Sequence, residues 1–325
     1  MGDRDAVLGI DLGGTDIKAA ILDRAGQTLW QERIATGAKE ARDQVIQRLE
    51  DLVALALQHS PAPIRSAGFA IPGVVDMQTG RLEKLSNFTP EWDGYLLRDD
   101  LERRTGLHIS VLNDVRAATV AEKTWGAGRG FQDFICIAIG TGIGGGLVLN
   151  GSLYQGSRGA AGELGHQTVV PDGPLCGCGN RGCIEAFASG PALTRAARAA
   201  IEAGDMKLVE LSGSSNPTPY AISQAAVQGS ETARSIFEHA GTLVGRVLAN
   251  LVCVLNPEAI VVGGGVSEAG DLLLQPIREE IARRTVVFSP ERGGVQVLHS
   301  PLGGRAGAIG AAAWALHHAP IANRG

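Results

Sequence analysis

Residues 6–22 read Ala-Val-Leu-Gly-Ile-Asp-Leu-Gly-Gly-Thr-Asp-Ile-Lys-Ala-Ala-Ile-Leu. Two short apolar runs, 6–10 and 17–22, flank Asp11-Leu12-Gly13-Gly14-Thr15-Asp16. Glycine at the tip lets the chain reverse tightly, which predicts a β-hairpin. A third strand is predicted over 28–34. Val45, Leu49, Leu52, Val53 and Ala56 then follow helical spacing, predicting an amphipathic helix over 40–59. A strand over 66–71 breaks at Pro72-Gly73, and 80–100 reads as loop and short turns. The strand at 108–112 runs into Asn113-Asp114, which open a helix reaching about residue 123.

The same pattern then recurs. A strand over 134–139 meets the turn Gly140-Thr141-Gly142-Ile143-Gly144-Gly145-Gly146, and 147–150 is the returning strand. This is an internal duplication of one β-β-β-α-β-α unit, each half carrying a phosphate-sized glycine turn. From 236 a helix carries Ala240, Leu243, Val244, Val247, Leu248, Leu251 and Val252 on one face and stops at Asn256-Pro257. A buried strand at 259–262 breaks into Gly263-Gly264-Gly265. The last helix, about 304–317, is rich in Gly and Ala, so it is expected to pack closely back against the first half. Residues 212–219 read as a surface loop.

A chain of 325 residues divides naturally into two domains. The expected division is a smaller α/β lobe at 1–118, joined by the C-terminal helix at about 304–325, and a larger lobe at 119–303. A net charge of −5 offers no basic surface for nucleic acid. Five cysteines without a paired framework suit a reducing cytosol. No apolar leader is visible, and the apolar runs are too short or interrupted to span a bilayer. The expectation is a cytoplasmic protein without nucleic-acid or membrane partners.

His166, Cys176, Cys178 and Cys183 place one imidazole and three thiols within eighteen positions, on glycine-rich backbone. Four such donors are what a tetrahedral zinc site needs, with buried structural cysteines as the alternative. Four protein ligands leave no open position, so the zinc would be structural. Glu163 and Glu185 flank these ligands and suit a pocket for something bearing hydroxyls. The N–H groups of Gly13, Gly14 and Thr15, and of Thr141 and Gly142, can form concave anion sites for a triphosphate. Gly264 and Gly265 would leave room for a purine or ribose. Asp11, at a strand end, can hold Mg²⁺ through water. Asp114 is the candidate base for phosphoryl transfer, with an N-cap as its structural alternative and Asn113 able to take over the capping. Arg116 and Arg158 read as solvated surface arginines rather than phosphate ligands.

With these residues on the page, the chain resembles the ROK sugar kinases (repressors, open reading frames and kinases) of the actin-like ATPase superfamily. The likeness runs from Asp11-Leu12-Gly13-Gly14-Thr15 to the glycine pair at 303–304, and is most specific at Glu163-Leu164-Gly165-His166 with the cysteine knuckle. It implies a two-lobed, ribonuclease H-like α/β fold with the knuckle as an insertion. It implies the zinc ligands His166, Cys176, Cys178 and Cys183, and Asp114 as general base. Sugar hydroxyls would be held by Gly73, Asn87, Asn113, Asp114, Glu163, His166 and Glu185. His166 would place one ring nitrogen on zinc and turn the other to the sugar. The implied reaction is ATP-dependent phosphorylation of a hexose at the 6-hydroxyl, glucose first, by an enzyme that pairs as a homodimer. N-acetylmannosamine and N-acetylglucosamine are the alternative substrates, because the same motifs serve them. A non-catalytic sugar sensor of the same family is the alternative class; about ten residues before Asp11 are too few for its DNA-binding module. The family commonly has Lys where Asp16 stands and Asn where Arg116 stands.

Overall fold

The structure, a computed structural model, describes residues 6–85, 87–157, 159–285 and 294–318. Arg158 and the expected helix end at 319–325 lie outside the described residues. The chain forms two compact units, one of residues 1–129, 153–161 and 304–325, the other of 130–152 and 162–303.

In the first unit, β1 (Ala6–Leu12), β2 (Asp16–Asp23) and β3 (Thr28–Ala35) form an antiparallel meander. Helix α1 (Arg42–His59) crosses over to β4 (Ile64–Ile71), which pairs parallel with β1. A small antiparallel hairpin, β5 (Gly73–Asp76) and β6 (Arg81–Leu85), follows, then α2 (Leu97–Thr105) and β7 (His108–Asn113), parallel to β4. Helix α3 (Asp114–Trp125) closes the run. The sheet order is β3-β2-β1-β4-β7. One face is buried beneath α1, whose Val45, Ile46, Leu49, Leu52, Val53 and Ala56 are all buried as their spacing requires. Each such fully buried aliphatic side chain contributes about 1.5–3 kcal/mol.

The other face is covered by α3 and by the returning α10 (Ala306–His318). This seam is close enough to demand glycine: a Cβ on Gly310 would overlap the Ala117 carbonyl oxygen, and one on Gly68 the Ala311 carbonyl oxygen. The division of units therefore falls after α3, at residue 129, rather than at 118. A cut at 118 would split a helix that is docked on α10.

The second unit repeats the plan. β8 (Phe134–Ile139) pairs antiparallel with β9 (Ile143–Leu149), and β11 (Ala259–Gly263) lies parallel to both β8 and β12 (Gln296–His299). With the short β10 (Ser152–Tyr154), the order β10-β9-β8-β11-β12 matches the first sheet strand for strand. Between β10 and β11 come the knuckle, α4 (Glu185–Ala188), α5 (Gly190–Glu202), α6 (Met206–Ser212), α7 (Pro219–Val227) and α8 (Glu231–Leu255). Helix α9 (Asp271–Arg284) packs on α8. By length and composition α8 could cross a membrane, but half of its most apolar window is buried in this unit, which makes it a core helix.

Some expectations are corrected. Residues 80–100 hold β6, a 3₁₀ turn at Pro90–Trp92 and the start of α2, instead of loop. Only Leu97 and Leu101 are buried apolar residues of α2, and six of its nine residues are charged, so its period is faint in the sequence. The returning strand begins at Ile143, not 147, because Gly144 to Gly146 are strand residues despite glycine's low strand propensity. Helix α8 starts at Glu231, five residues before the expected 236, where the Ser230 hydroxyl accepts the Ala233 N–H.

Candidate active site

The first glycine turn is shorter than its sequence pattern, since β1 runs to Leu12 and β2 begins at Asp16, leaving Gly13, Gly14 and Thr15. Gly14 and Thr15 are exposed, and the turn is locked from beneath. The Gly13 N–H donates to the Asp16 carbonyl at 3.0 Å. Thr36, fully buried, donates its hydroxyl to the Gly13 carbonyl at 2.7 Å and its N–H to the Thr15 carbonyl at 2.9 Å. Nothing in the sequence singles out Thr36, because its partners lie more than twenty residues away. Asp16 pairs with Arg33 on β3 at 2.5 Å, so the acid standing in a common lysine position is tied to its own sheet.

Asp11 lies opposite Lys18 in the hairpin register. Gly307 at the start of α10 comes so close that a Cβ there would be 2.6 Å from the Asp11 carboxyl. Burial pushes the Asp11 carboxyl up to about 6, partly offset by the Lys18 ammonium. A desolvated carboxylate at a strand end, with one cation nearby, fits a further divalent ion held through water.

Asn113 and Asp114 sit where β7 passes into α3. The Asn113 Oδ1 accepts the N–H groups of Val115 at 3.0 Å and Arg116 at 3.2 Å, which is the N-cap. Its Nδ2 donates to the Gly73 carbonyl at 2.9 Å, so two of the expected sugar residues are joined directly. Asp114 Oδ1 shares the Val115 N–H at 2.8 Å. Gly73 has φ +102° and Asn87 has φ +70°. Asn87 lies alongside the first glycine turn: a Cβ on Gly14 would be 3.6 Å from the Asn87 Cβ. Arg116 is not a solvated arginine. It is 2% exposed and its guanidinium forks onto the Ala161 carbonyl at 3.2 and 3.1 Å.

In the second unit the turn at 140–143 is held from both ends. The Gly190 N–H donates to the Gly140 carbonyl at 2.8 Å, and the Ile143 N–H donates to Glu185 Oε2 at 2.9 Å. Thr141 is exposed at the tip. Gly264, with φ +85°, and exposed Gly265 follow β11. The Val266 N–H beyond them reaches the Ile139 carbonyl at 2.9 Å, so the third glycine turn borders the second.

The four sulfur and nitrogen donors of His166, Cys176, Cys178 and Cys183 lie within 4.8 Å of one another. The Cys178 and Cys183 sulfurs are 3.7 Å apart, and the Cys176 sulfur is 3.7 Å from His166 Nδ1. A tetrahedron with Zn–S of about 2.3 Å and Zn–N of about 2.0 Å has edges of roughly 3.5–3.8 Å, so the donor set fits zinc. Burial pushes the Cys176 thiol up to about 12 and raises Cys183, while the Asn180 N–H lowers Cys178. A cation among the sulfurs is what would turn this desolvated cluster to thiolate. With Nδ1 facing the sulfurs, Nε2 faces Glu163 Oε2 at 4.0 Å. That span leaves both groups able to share one hydroxyl. Glu185 Oε1 is 3.5 Å from the Cys176 sulfur, completing a chain from knuckle to glycine turn.

Two sheets of identical strand order, each opening on a hairpin closed by a glycine turn, define the ribonuclease H-like α/β class of nucleotide-using proteins. Within that class, the chain belongs to the ROK family, which it matches over residues 7–318. It is 35% identical to the glucokinase of Thermotoga maritima over 308 residues, covering 94% of this chain and 96% of that one. The glucokinase of Streptomyces coelicolor is also 35% identical, over 97% of this chain and 98% of its own. Among solved structures, a ROK family glucokinase from Streptomyces griseus in complex with glucose and AMPPNP superposes with a TM-score of 0.84 at 38% identity. That match covers 96% of this chain and 99% of the other.

Proposed function

We propose that this protein is a glucokinase, transferring the γ-phosphoryl group of ATP to the 6-hydroxyl of glucose. The observation that carries the reading is the division of labour at the head of α3. Asn113 takes the cap and anchors Gly73, which lets the adjacent Asp114 carboxylate act as the base. The near full-length likeness to glucokinases supports glucose as the substrate.

In this reading Asp114 orients the hydroxyl and accepts its proton late in the transfer. Its place at a helix N-terminus favours the ionised form it needs. The N–H groups of Gly14 and Thr15, and those of Thr141 and Gly142, are assigned to phosphate oxygens. Gly264 and Gly265 accept the nucleoside against bare backbone. Gly73, Asn87 and Asn113, together with Glu163, His166 and Glu185, are the hydroxyl partners. Asn113 has spent Oδ1 on the cap and one N–H on Gly73, so it can offer the sugar only its second amide hydrogen. His166 and the three cysteines would hold zinc, which would stiffen the loop that carries Glu163, and Asp11 would hold Mg²⁺, which would supply positive charge against the phosphates. The grouping of three of the five cysteines with His166 as metal donors supports a cytoplasmic setting, and exposed Tyr220, Val227 and Val254 support pairing through the second unit.

The test is ADP release with Mg-ATP across glucose, N-acetylmannosamine, N-acetylglucosamine and fructose. Glucose should give the highest kcat/KM, and absence of glucose-dependent ADP release would refute the proposal. Asp114→Asn should lower kcat by about 10² or more while glucose still binds. Unchanged turnover in that variant would remove Asp114 from the chemistry.

A further inference from the structure

The hydroxyl role proposed for Glu185 leaves its hydrogen bonds unexplained. Its Oε2 accepts the Ile143 N–H at 2.9 Å, and a Cβ on Gly142 would lie 2.6 Å from that same oxygen. A side chain at residue 142 would have to displace the carboxylate from this contact. Five residues further on, the Gly190 N–H holds the Gly140 carbonyl at 2.8 Å. The segment 185–190 thus grips both ends of the glycine turn.

The same segment is fixed by the knuckle. Cys183 lies two residues before Glu185, and the Ala186 N–H donates to the Cys183 carbonyl at 3.0 Å. The Ile184 N–H donates to the carbonyl of Gln167, the neighbour of His166, at 2.9 Å. Glu185 Oε1 rests 3.5 Å from the Cys176 sulfur. Cys176 therefore touches this carboxylate directly, and Cys183 and the neighbour of His166 hold the backbone on either side of it.

We propose that Glu185 is a positioning residue for the nucleotide turn at 140–143, through which an ordered knuckle strengthens nucleotide binding. The inference rests on the kinase reading for what the turn holds. Its physical content is that N–H groups bind phosphate well only when their direction is set beforehand. Glu185 sets it at Ile143, and the four knuckle donors set Glu185.

The experiment is calorimetric titration with Mg-ADP in the absence of sugar, on the wild type, E185A, E185Q and wild type depleted of zinc. E185A should bind about tenfold more weakly, the weight of one hydrogen bond to a charged group. E185Q should stay close to wild type, because its amide oxygen can still accept the Ile143 N–H. Zinc-depleted protein should bind several-fold more weakly. Hydrogen exchange at the Ile143 amide should quicken in E185A and on zinc removal alike. A Glu185 that only held sugar would leave sugar-free nucleotide affinity and Ile143 exchange unmoved, and that result overturns the proposal. If E185A does not fold, unchanged Ile143 exchange after zinc removal from wild type overturns the coupling to the knuckle. Failure of wild type to bind Mg-ADP would instead count against the kinase reading, with Ile143 exchange still testing the strut.

Discussion

Replacing Asn113 separates two jobs that the structure assigns to one side chain. In Asn113→Ala, α3 loses the acceptor for the N–H groups of Val115 and Arg116, and Gly73 loses its 2.9 Å donor. Loss of an N-cap costs about 1 kcal/mol. A hydrogen bond to a half-buried carbonyl adds about 1 kcal/mol. The alanine variant should therefore lose about 2 kcal/mol, close to a thirtyfold shift in the folding equilibrium. Asn113→Ser keeps a cap oxygen, sets no charge against the Gly73 carbonyl and loses the donor to it, so it should lose about 1 kcal/mol. The assay is urea unfolding followed by tryptophan fluorescence. All four tryptophans, Trp30, Trp92, Trp125 and Trp314, belong to the first unit, so the signal reports the unit that contains the cap. Equal losses in the two variants, or an alanine variant as stable as wild type, would refute the capping argument. It would also remove the reason for placing Asp114 in the base role.

Two further predictions address the nucleotide side. Thr36→Val keeps the shape of the side chain but strips the donor from the Gly13 carbonyl. The KM for ATP should rise about fivefold, the equivalent of about 1 kcal/mol, with little change for glucose, as steady-state kinetics would show. Asp11→Asn tests the buried carboxyl: with a folded value near 6, above the ordinary 3.8, the native state holds the proton more tightly than the unfolded chain. Stability is therefore lost as pH rises from about 4 through 6, and the variant should be more stable than wild type at about pH 8 but not at about pH 4. Urea midpoints at the two pH values decide it, and a gain of equal size at both would show that burial of charge is not the cause.

Much of the architecture is legible wherever one residue pattern answers to one physical cause. The spacing of Val45, Leu49, Leu52, Val53 and Ala56 is what a helix lying on a sheet requires, and the hairpins at 13–15 and 140–142 follow from glycine between apolar runs. Duplication is legible for the same reason, since both sheets share one order. Elements that carry few apolar residues are not. Helix α2 buries only Leu97 and Leu101 as apolar residues, while its charged residues form ion pairs, Arg104 with Asp100 at 2.9 Å and with Glu50 at 3.1 Å, so its apolar period is faint. Strand β9 is hidden by its glycines, one of which, Gly145, is required because Leu164 and the Gly162 carbonyl press against it. The unit boundary is equally hidden, because it depends on where α10 docks and no local signal marks that.

The candidate site divides along the same line. The candidate metal donors are readable because metal ligation is a statement about side-chain type and short spacing, and 3.7 Å separations follow from four donors on one glycine-rich knuckle. The proposal of Asp114 starts in the sequence from Asn113 as an alternative cap, and Asn113 does cap α3. Thr36 and the second role of Glu185 are unreadable, since each works by a hydrogen bond to a peptide group far away in sequence. The separation is 23 residues for Thr36 with Gly13 and 42 for Glu185 with Ile143. Any side chain with the right donor or acceptor would serve, so residue type carries almost no information about such a contact. What does carry information is the glycine opposite. Gly142 has no turn-forming need for positive φ, and its missing side chain marks the place where the Glu185 carboxylate stands. In a phosphate-binding turn, then, a glycine is ambiguous between making room for a ligand and making room for the protein's own support. At residue 142 the nearest group is the supporting carboxylate of Glu185.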